Sequence, residues 1–476
     1  MTDLTQVNLT PKNLEEALET IGHLATIIIE LKEEITQLKE ENASLKEQLN
    51  TNSKNSSLPP SRDLKKKKQS KPKSGRPRGG QSGHKGHQRA LVPIEKVTSV
   101  VVCPPPSRCD CGKELDILGQ FERHQVFELP TPSYEVIEYQ RQTGCCKSCR
   151  RRYQGSLPPG VSRKGFGARA QAMVSLLTSK YRLSKRLVHT WFSDVYHMPI
   201  CLGSVSNIEH TVSQSLEQTH KEIKAQIQSS KAIHLDETGH KECNQNGWAW
   251  IMSTQDATYF KLERSLGRKI AKELIGDFRD HIYVTDRYSA YDFLPDRNRQ
   301  VCWAHLKRDF QKISERPGVP GKIGKKLLKA YERLFKFWKT EYDPNILSFK
   351  KPRKRFRYFK ARLLRHLREC SRCTHKATAR TCTNILESVD SLWNFFEIPN
   401  VPPTNNHAER QLRPLVISKK LTFGTQSERG SRFIERIFSI VATCKQQQKD
   451  VLVFIMDALQ RWVSIHQKLN APLQGA

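Results

Sequence analysis

Two stretches decide how this chain reads: Lys231-Ala232-Ile233-His234-Leu235-Asp236-Glu237-Thr238 and, 50 residues on (286 − 236), Ile282-Tyr283-Val284-Thr285-Asp286-Arg287-Tyr288-Ser289-Ala290-Tyr291. Each is a strand-like apolar run closed by an aspartate. Residues 247–254, 257–262 and 300–303 have the same texture, and residues 267–278 carry a helical rhythm. The predicted order is three strands in a meander, a helix, then strands on the other side of the first.

That order describes an RNase H-like sheet, in which the first and fourth strands are neighbours, so Asp236 and Asp286 should lie side by side. Carboxylates that close repel each other, and a divalent cation makes the arrangement favourable. A third acid comes from Pro402-Pro403-Thr404-Asn405-Asn406-His407-Ala408-Glu409-Arg410. There Asn405 or Asn406 is expected to cap a helix, and Glu409 projects from its first turns. Arg413, four residues on, shares the face of Glu409 and suits a DNA phosphate, as does the adjacent Arg410. His305, after a predicted strand, either touches the scissile phosphate region or packs. One aspartate at a strand end is commonly just a turn former, so the weight falls on the three acids together. The 123 residues from Asp286 to Glu409 (409 − 286) exceed any loop. A helical insertion at 313–398 is therefore predicted between core segments 231–312 and 399–447, with a C-terminal helix and tail at 448–476.

Upstream, residues 12–50 carry Leu24, Leu31, Leu38 and Leu45 at seven-residue spacing, with Ile21, Ile28 and Ile35 three residues ahead. Ile at a, Leu at d and Asn42 at the next a position predict a parallel two-stranded coiled coil, hence a homodimer; an amphipathic helix packed on its own chain is the alternative. Residues 51–90 lose periodicity and become basic, and are predicted to be a disordered linker that also holds DNA. Lys65, Lys66, Lys67 and Lys68 are either phosphate contacts or a solubilising run. Lys85 lies in Gly79-Gly80-Gln81-Ser82-Gly83-His84-Lys85-Gly86-His87, where glycines let backbone approach phosphates.

Residues 91–160 are predicted as a zinc-finger-like hairpin with strands at 96–102 and 134–142. Cys109 and Cys111 with Cys146 and Cys149 offer four thiolates to one structural Zn²⁺, with Cys103 and Cys145 as spares. Residues 161–230 read as helices around a break at Pro199, either a helix-turn-helix whose third helix starts at Gly203-Ser204 or a plain three-helix bundle. Cys370, Cys373, His375 and Cys382 are a weaker candidate metal set. The basic stretch 350–368, interleaved with Phe356, Tyr358 and Phe359, reads as a DNA contact or a solvated helix face.

The whole is a multidomain α/β chain of 476 residues with 80 Lys+Arg against 48 Asp+Glu, a formal charge of +32. Such an excess repels itself unless a polyanion neutralises it, and nucleic acid is the natural partner. No apolar run reaches a spanning length and no signal peptide is evident, so a bacterial cytoplasmic, nucleoid-associated location without a membrane partner is expected. Thirteen cysteines, several in close pairs, favour metal binding over disulfides.

Taken together, the zipper, the Gly80-to-His87 stretch, the paired cysteines, Asp236-Glu237-Thr238, Thr285-Asp286-Arg287-Tyr288, Cys302-Trp303-Ala304-His305-Leu306-Lys307-Arg308, Asn405-Asn406-His407-Ala408-Glu409-Arg410 and Ser427-Glu428-Arg429-Gly430 resemble the large transposase of the insertion sequence sixty-six family. The resemblance runs over nearly the whole chain. It implies a DDE transposase in which Asp236, Asp286 and Glu409 hold two Mg²⁺ (or Mn²⁺) ions and perform hydrolysis and strand transfer. It further implies double-stranded DNA, as transposon ends and target, for substrate, and accessory proteins of the same element as partners. Two departures stand out: Ser82 replaces the family's usual Pro, and Cys109-Asp110-Cys111 is C-x-C where C-x-x-C is usual. The rivals are an RNase H-like nuclease or resolvase that cuts without joining, and a zinc-containing DNA-binding regulator with an inactive core.

Overall fold

The computed structural model describes residues 13–56, 90–340 apart from 117, 118, 120 and 278, and 350–469. The basic Lys65–Lys68 run, Lys85 and the glycine-rich stretch around it lie outside the described residues. The first helix, α1 (Leu14–Asn50), is capped by Asn13, whose side chain accepts from the Glu16 amide at 2.9 Å. Its heptad positions Ile21, Ile28, Leu31, Ile35, Leu38 and Leu45 are exposed, Leu24 is half-buried, and Ile27 beside the stripe is buried. The foot of α1 is fastened through Glu47 to Arg316 at 2.7 Å and to Lys312 at 3.0 Å.

Residues 90–160 depart from expectation. Neither 96–102 nor 134–142 forms a strand; the only ladder among the described residues there is the short antiparallel pair β1 (Thr143–Cys145) and β2 (Arg152–Gln154). Val100, Val101, Val102, Val136 and Ile137 are exposed, so no neighbour covers an apolar face, and a strand gains little without one. The helices α2 (Ala168–Thr178), α3 (Lys185–Tyr196) and α4 (Leu202–Ser215) follow, with His197 in left-handed conformation at the turn after α3. The predicted long third helix is broken at Leu216, where α5 (Glu217–Gln228) begins. The buried faces of α2–α5, among them Val174, Val205, Ile208 and Ile223, share one hydrophobic cluster with the sheet described next.

The sheet has five strands: β3 (Ala232–Glu242), β4 (Gln245–Ser253), β5 (Thr258–Glu263), β6 (Ile282–Thr285) and β7 (Arg299–Val301). Their order is β5-β4-β3-β6-β7, antiparallel over the first three and parallel over the last three, consistent with an RNase H-like core. Helix α6 (Arg268–Ile275) connects β5 to β6. All of β6 is buried: Ile282 faces one hydrophobic cluster and Tyr283 the other, as strand alternation requires when both faces are covered. β3 is longer than expected, because its pairing with β4 continues through Glu242↔Gln245 after its pairing with β6 ends at His234↔Val284.

The far edge, β5, is closed by α13 (Glu428–Gln446). Glu435, Ser439 and Thr443, one per helical turn, accept from the amides of Leu262, Phe260 and Thr258 at 2.6, 2.9 and 3.1 Å. Four residues of helix rise about 6 Å and two residues of strand about 6.6 Å, so helix side chains satisfy an edge that would otherwise offer unpaired donors. Ser427 of the Ser-Glu-Arg-Gly motif caps α13 through the Gly430 amide at 3.2 Å.

Downstream of the sheet lie α7 (Trp303–Ser314), α8 (Gly318–Thr340), α9 (Lys350–Ser371), α10 (Lys376–Glu387) and α11 (Asn394–Glu397), then α12 (Asn406–Thr422) and, after α13, α14 (Val451–Leu469). α8–α11 build a second core around Trp303, Phe335, Trp393 and Phe396. Phe356 stacks on Phe396 at 4.2 Å and Phe359 meets Phe337 at 5.5 Å, so these two rings of the basic stretch belong to the core; Tyr358 is exposed. The loop after α12 is clamped to the β3–β4 hairpin by Thr425, whose amide donates to the Lys241 carbonyl at 2.8 Å. Gly424 there has φ +110°, and a Cβ would lie 2.1 Å from that carbonyl. Gly424→Ala is expected to cost at least about 2 kcal/mol, read as a lowered urea midpoint at unchanged slope.

Candidate active site

Register brings the two aspartates together. Ala232, Ile233 and His234 pair with Ile282, Tyr283 and Val284, and two residues beyond each end of that ladder stand Asp236 and Asp286. Only the β3–β6 pairing stops there: Asp286 follows the end of β6, whereas Asp236, expected to close its strand, lies within β3 and is still paired with Ile251 of β4. Asp236 Oδ1 accepts from the Glu237 amide at 2.9 Å, and Asp286 Oδ1 from the Tyr288 amide at 2.8 Å. Burial, Glu237, Asp286 and, less strongly, Glu409 hold the Asp236 carboxyl well above the usual range. Each of those acids makes ionisation of Asp236 harder.

Glu409 reaches the same place from the first turn of α12. What aims it is Asn405, fully buried, but not as the expected side-chain cap. Its Nδ2 donates to the Leu235 carbonyl at 2.6 Å, its Oδ1 lies 3.0 Å from His234 Nδ1, and its backbone amide donates to Cys302 Sγ at 3.1 Å. The helix start is thus bonded to the residue preceding Asp236. Glu409 Oε1 is 3.8 Å from His305 Nε2 and 3.7 Å from Arg308 Nη2. Burial lowers the His305 pKa, and its buried Nδ1 has no hydrogen-bond partner among the described residues.

Three supporting residues escape a motif reading. Arg299, buried in β7, donates to Thr285 Oγ1 and the Asp286 carbonyl, each at 3.0 Å, and to Asp292 Oδ1 at 2.8 Å. It fixes the chain where Asp286 leaves β6. Arg287 is bonded to Asp309 of α7. Glu237 is a fourth acid, which accepts from Tyr291 Oη at 2.6 Å. Burial, followed by the charge of Asp286, pushes its carboxyl up to about 7. A carboxyl raised from 4.5 to about 7 on folding stabilises fully below pH 4.5 and loses that contribution as pH rises through 7, on the order of 3 kcal/mol. In chelator, Glu237→Gln should therefore match the wild type near pH 4.5 and exceed it in stability at pH 8, measured by denaturant titration at both.

Beside Glu409 opens a cleft of about 1120 Å³. Lys54, Lys307, Arg308, Lys339, Arg410 and Arg413 line it, and among its described lining residues the one acid is Glu409. Both arginines expected near the acids are thus on its wall, and His305 stands beside Glu409. Among the described residues no three His, Cys, Asp or Glu side chains are drawn close enough to hold a metal ion as they stand. This applies to the acids and to the cysteines. Each thiol pair does occupy a tight turn: Gly112 donates to the Cys109 carbonyl at 2.7 Å, and Arg150 to the Cys146 carbonyl at 2.9 Å. Amide donation, chiefly from Cys111 and Cys149, lowers the pKa of the Cys109 and Cys146 thiols. The two turns are not joined into a four-sulfur cluster. His375 of the weaker set instead accepts from the Thr378 amide at 3.2 Å, as the cap of α10.

Comparison with known proteins adds three findings. Residues 6–90 match a family of unknown function, DUF6444. Over 408 residues the chain is 23% identical to the uncharacterized protein y4hP of Sinorhizobium fredii (strain NBRC 101917 / NGR234), covering 76% of this chain and 71% of that one. Residues 166–433, more than half the chain and the whole of the sheet, the three acids and the cleft-lining helices α7 and α8, match the model for "Transposase IS66 family". The chain belongs to the IS66 family of transposases.

Proposed function

We propose that this protein cuts DNA at the ends of an insertion sequence and joins the freed 3′-hydroxyls to target DNA, with Asp236, Asp286 and Glu409 as its catalytic acids. Family membership implies DNA transposition, DNA binding and the use of divalent metal. The observation that carries the finer reading is the crowding of buried acids: Asp236 is pushed up by burial first, then by the charges of Glu237, Asp286 and Glu409. Such a group is unfavourable alone and favourable around hard cations, and carboxylate oxygens are the donors Mg²⁺ and Mn²⁺ prefer. Two ions bound there would activate a water and stabilise the departing 3′ oxygen of an in-line displacement.

The chain's own residues do the positioning. Asn405 ties α12 to β3, so Glu409 is aimed by the strand that carries Asp236. Arg299 holds the backbone of Asp286. Arg308 and His305 flank Glu409, while Arg410 and Arg413, on the cleft wall, hold phosphates of the bound strand. The basic segment with Lys65–Lys68 and Lys85 adds sequence-independent DNA affinity, and α4, with Gly203 exposed in its first turn, is the helix offered to a groove.

Two assembly features complete the proposal. The exposed Ile/Leu stripe of α1 pairs with that of a second copy, making a parallel dimer. Leu31→Lys with Leu38→Lys should turn a dimer into a monomer by light scattering; an unchanged mass would remove the zipper. Cys109, Cys111, Cys146 and Cys149 together hold one structural Zn²⁺, once the two turns close on each other; the lowered thiol pKa values of Cys109 and Cys146 suit thiolate ligands.

The test of the whole reading is a cleavage and joining assay on DNA carrying the element's ends. Mg²⁺-dependent nicking at the ends followed by joined products is expected. Nicking with no joined product would make the protein a nuclease or resolvase, and neither reaction under conditions where the ends are bound would make it a DNA-binding regulator.

A further inference from the structure

Family membership and the three acids leave unexplained why the cleft beside Glu409 has an aromatic wall. Its cations stand on three helices and one connecting segment: Lys307 and Arg308 on α7, Lys339 near the end of α8, Arg410 and Arg413 on α12, and Lys54 just after α1. Facing the same space from α8 are Tyr331, Phe335 and Trp338, at the four- and three-residue spacing that puts them on one helix face. Phosphate binding to a duplex needs the cations alone, because a duplex keeps its bases stacked inside. Aromatic rings between cations are what an unpaired strand uses, its bases stacking on rings while its phosphates track the charges.

Two details support such a use. Lys307 Nζ lies 5.7 Å from the centre of the Tyr331 ring, so one side chain serves both the charge and the ring. Trp338 is only partly buried, yet its indole Nε1 is enclosed without a hydrogen-bond partner among the described residues, which buried indole donors seldom are. We propose that the α7–α8 wall is a binding site for unpaired DNA, with Trp338 and Tyr331 as the stacking platform and Lys307 and Lys339 as its phosphate contacts. The site rests on the DNA-transposing reading above and deepens it: the enzyme holds single-stranded DNA next to Glu409 and thereby favours ends that are frayed or already nicked.

The experiment measures binding of the full-length protein, in chelator so that no cleavage occurs, to a labelled oligo-dT 20-mer and to a 20-base-pair duplex of arbitrary sequence. Stacking on one aromatic ring is worth about 1–3 kcal/mol, so Trp338→Ala is expected to weaken oligo-dT binding about five- to hundred-fold and duplex binding less than about twofold. Trp338→Phe, which keeps a ring in the packing against Phe335 and Phe395, should restore most of the loss. Lys339→Gln should weaken oligo-dT binding and reduce its salt dependence. Equal loss on both DNAs, or no loss on either, would overturn the site while leaving the acids' assignment intact. Absence of any DNA binding by the wild type would instead count against the transposase reading itself.

Discussion

With Asp286→Asn, divalent-dependent strand cleavage should fall by at least about a thousandfold while affinity for the same DNA stays within about twofold. One oxygen donor lost from a two-metal centre removes several kcal/mol of transition-state stabilisation, and each 1.36 kcal/mol is a factor of ten in rate. Binding should survive because the cations of the cleft are on α7, α8 and α12 and just after α1, whereas Asp286 follows β6. Folding should survive too. The amide still offers an oxygen to the Tyr288 N–H, now bonded at 2.8 Å, and a negative charge is removed from beside Asp236 and Glu237, whose carboxyls it raises. A variant that is as stable as the wild type or more so, binds DNA, and does not cut is the combined signature; retained cleavage would remove Asp286 from the reaction.

Asn405→Ala should have the second largest effect, and of a different kind. Asn405 is the junction at which three parts of the site meet: the Leu235 carbonyl next to Asp236, the buried His234 ring, and α12 carrying Glu409. Alanine leaves the Leu235 carbonyl and His234 Nδ1 unsatisfied in a buried place, at about 1–3 kcal/mol each. A net loss of about 2–4 kcal/mol in denaturant titration is expected. Cleavage should drop by more than the folded fraction accounts for, since the helix aiming Glu409 is no longer bonded to β3. Cleavage that simply follows the folded fraction would reduce Asn405 to a structural residue.

Much of this was legible in the residues. The strand runs around Asp236 and Asp286 carry their own signal: apolar stretches at buried-strand length, split by a helical rhythm at 267–278, allow few sheet orders once connections must be short and uncrossed. Glu409 was legible through its motif and its place just inside a helix, and α12 does begin at Asn406. What the sequence hid was anything decided by contact rather than by pattern. The Asn405 side chain reads as a cap because asparagine commonly caps, yet a buried carbonyl 170 positions away holds it more tightly. Arg299 reads as one more cation in a very basic chain, and only the parallel pairing of β6 with β7 buries it behind Asp286. Glu237 stood inside the quoted motif without a role, because strand alternation predicts that it points away from Asp236 and says nothing of Tyr291. The strands expected at 96–102 and 134–142 failed for the complementary reason: β-branched composition supplies propensity, but no partner among the described residues covers Val100, Val101, Val102, Val136 or Ile137.

The central claim is that Asp286 is a metal ligand, and the most direct test changes the chemistry of that one donor. Asp286→Cys replaces a hard oxygen by a thiolate, which binds Mg²⁺ poorly and softer ions such as Mn²⁺ or Cd²⁺ better. Cleavage of end-bearing DNA by the cysteine variant should be lost with Mg²⁺ and recovered in part with Mn²⁺ or Cd²⁺, while the wild type is active with Mg²⁺. Undiminished cleavage by the variant with Mg²⁺ alone would contradict the account.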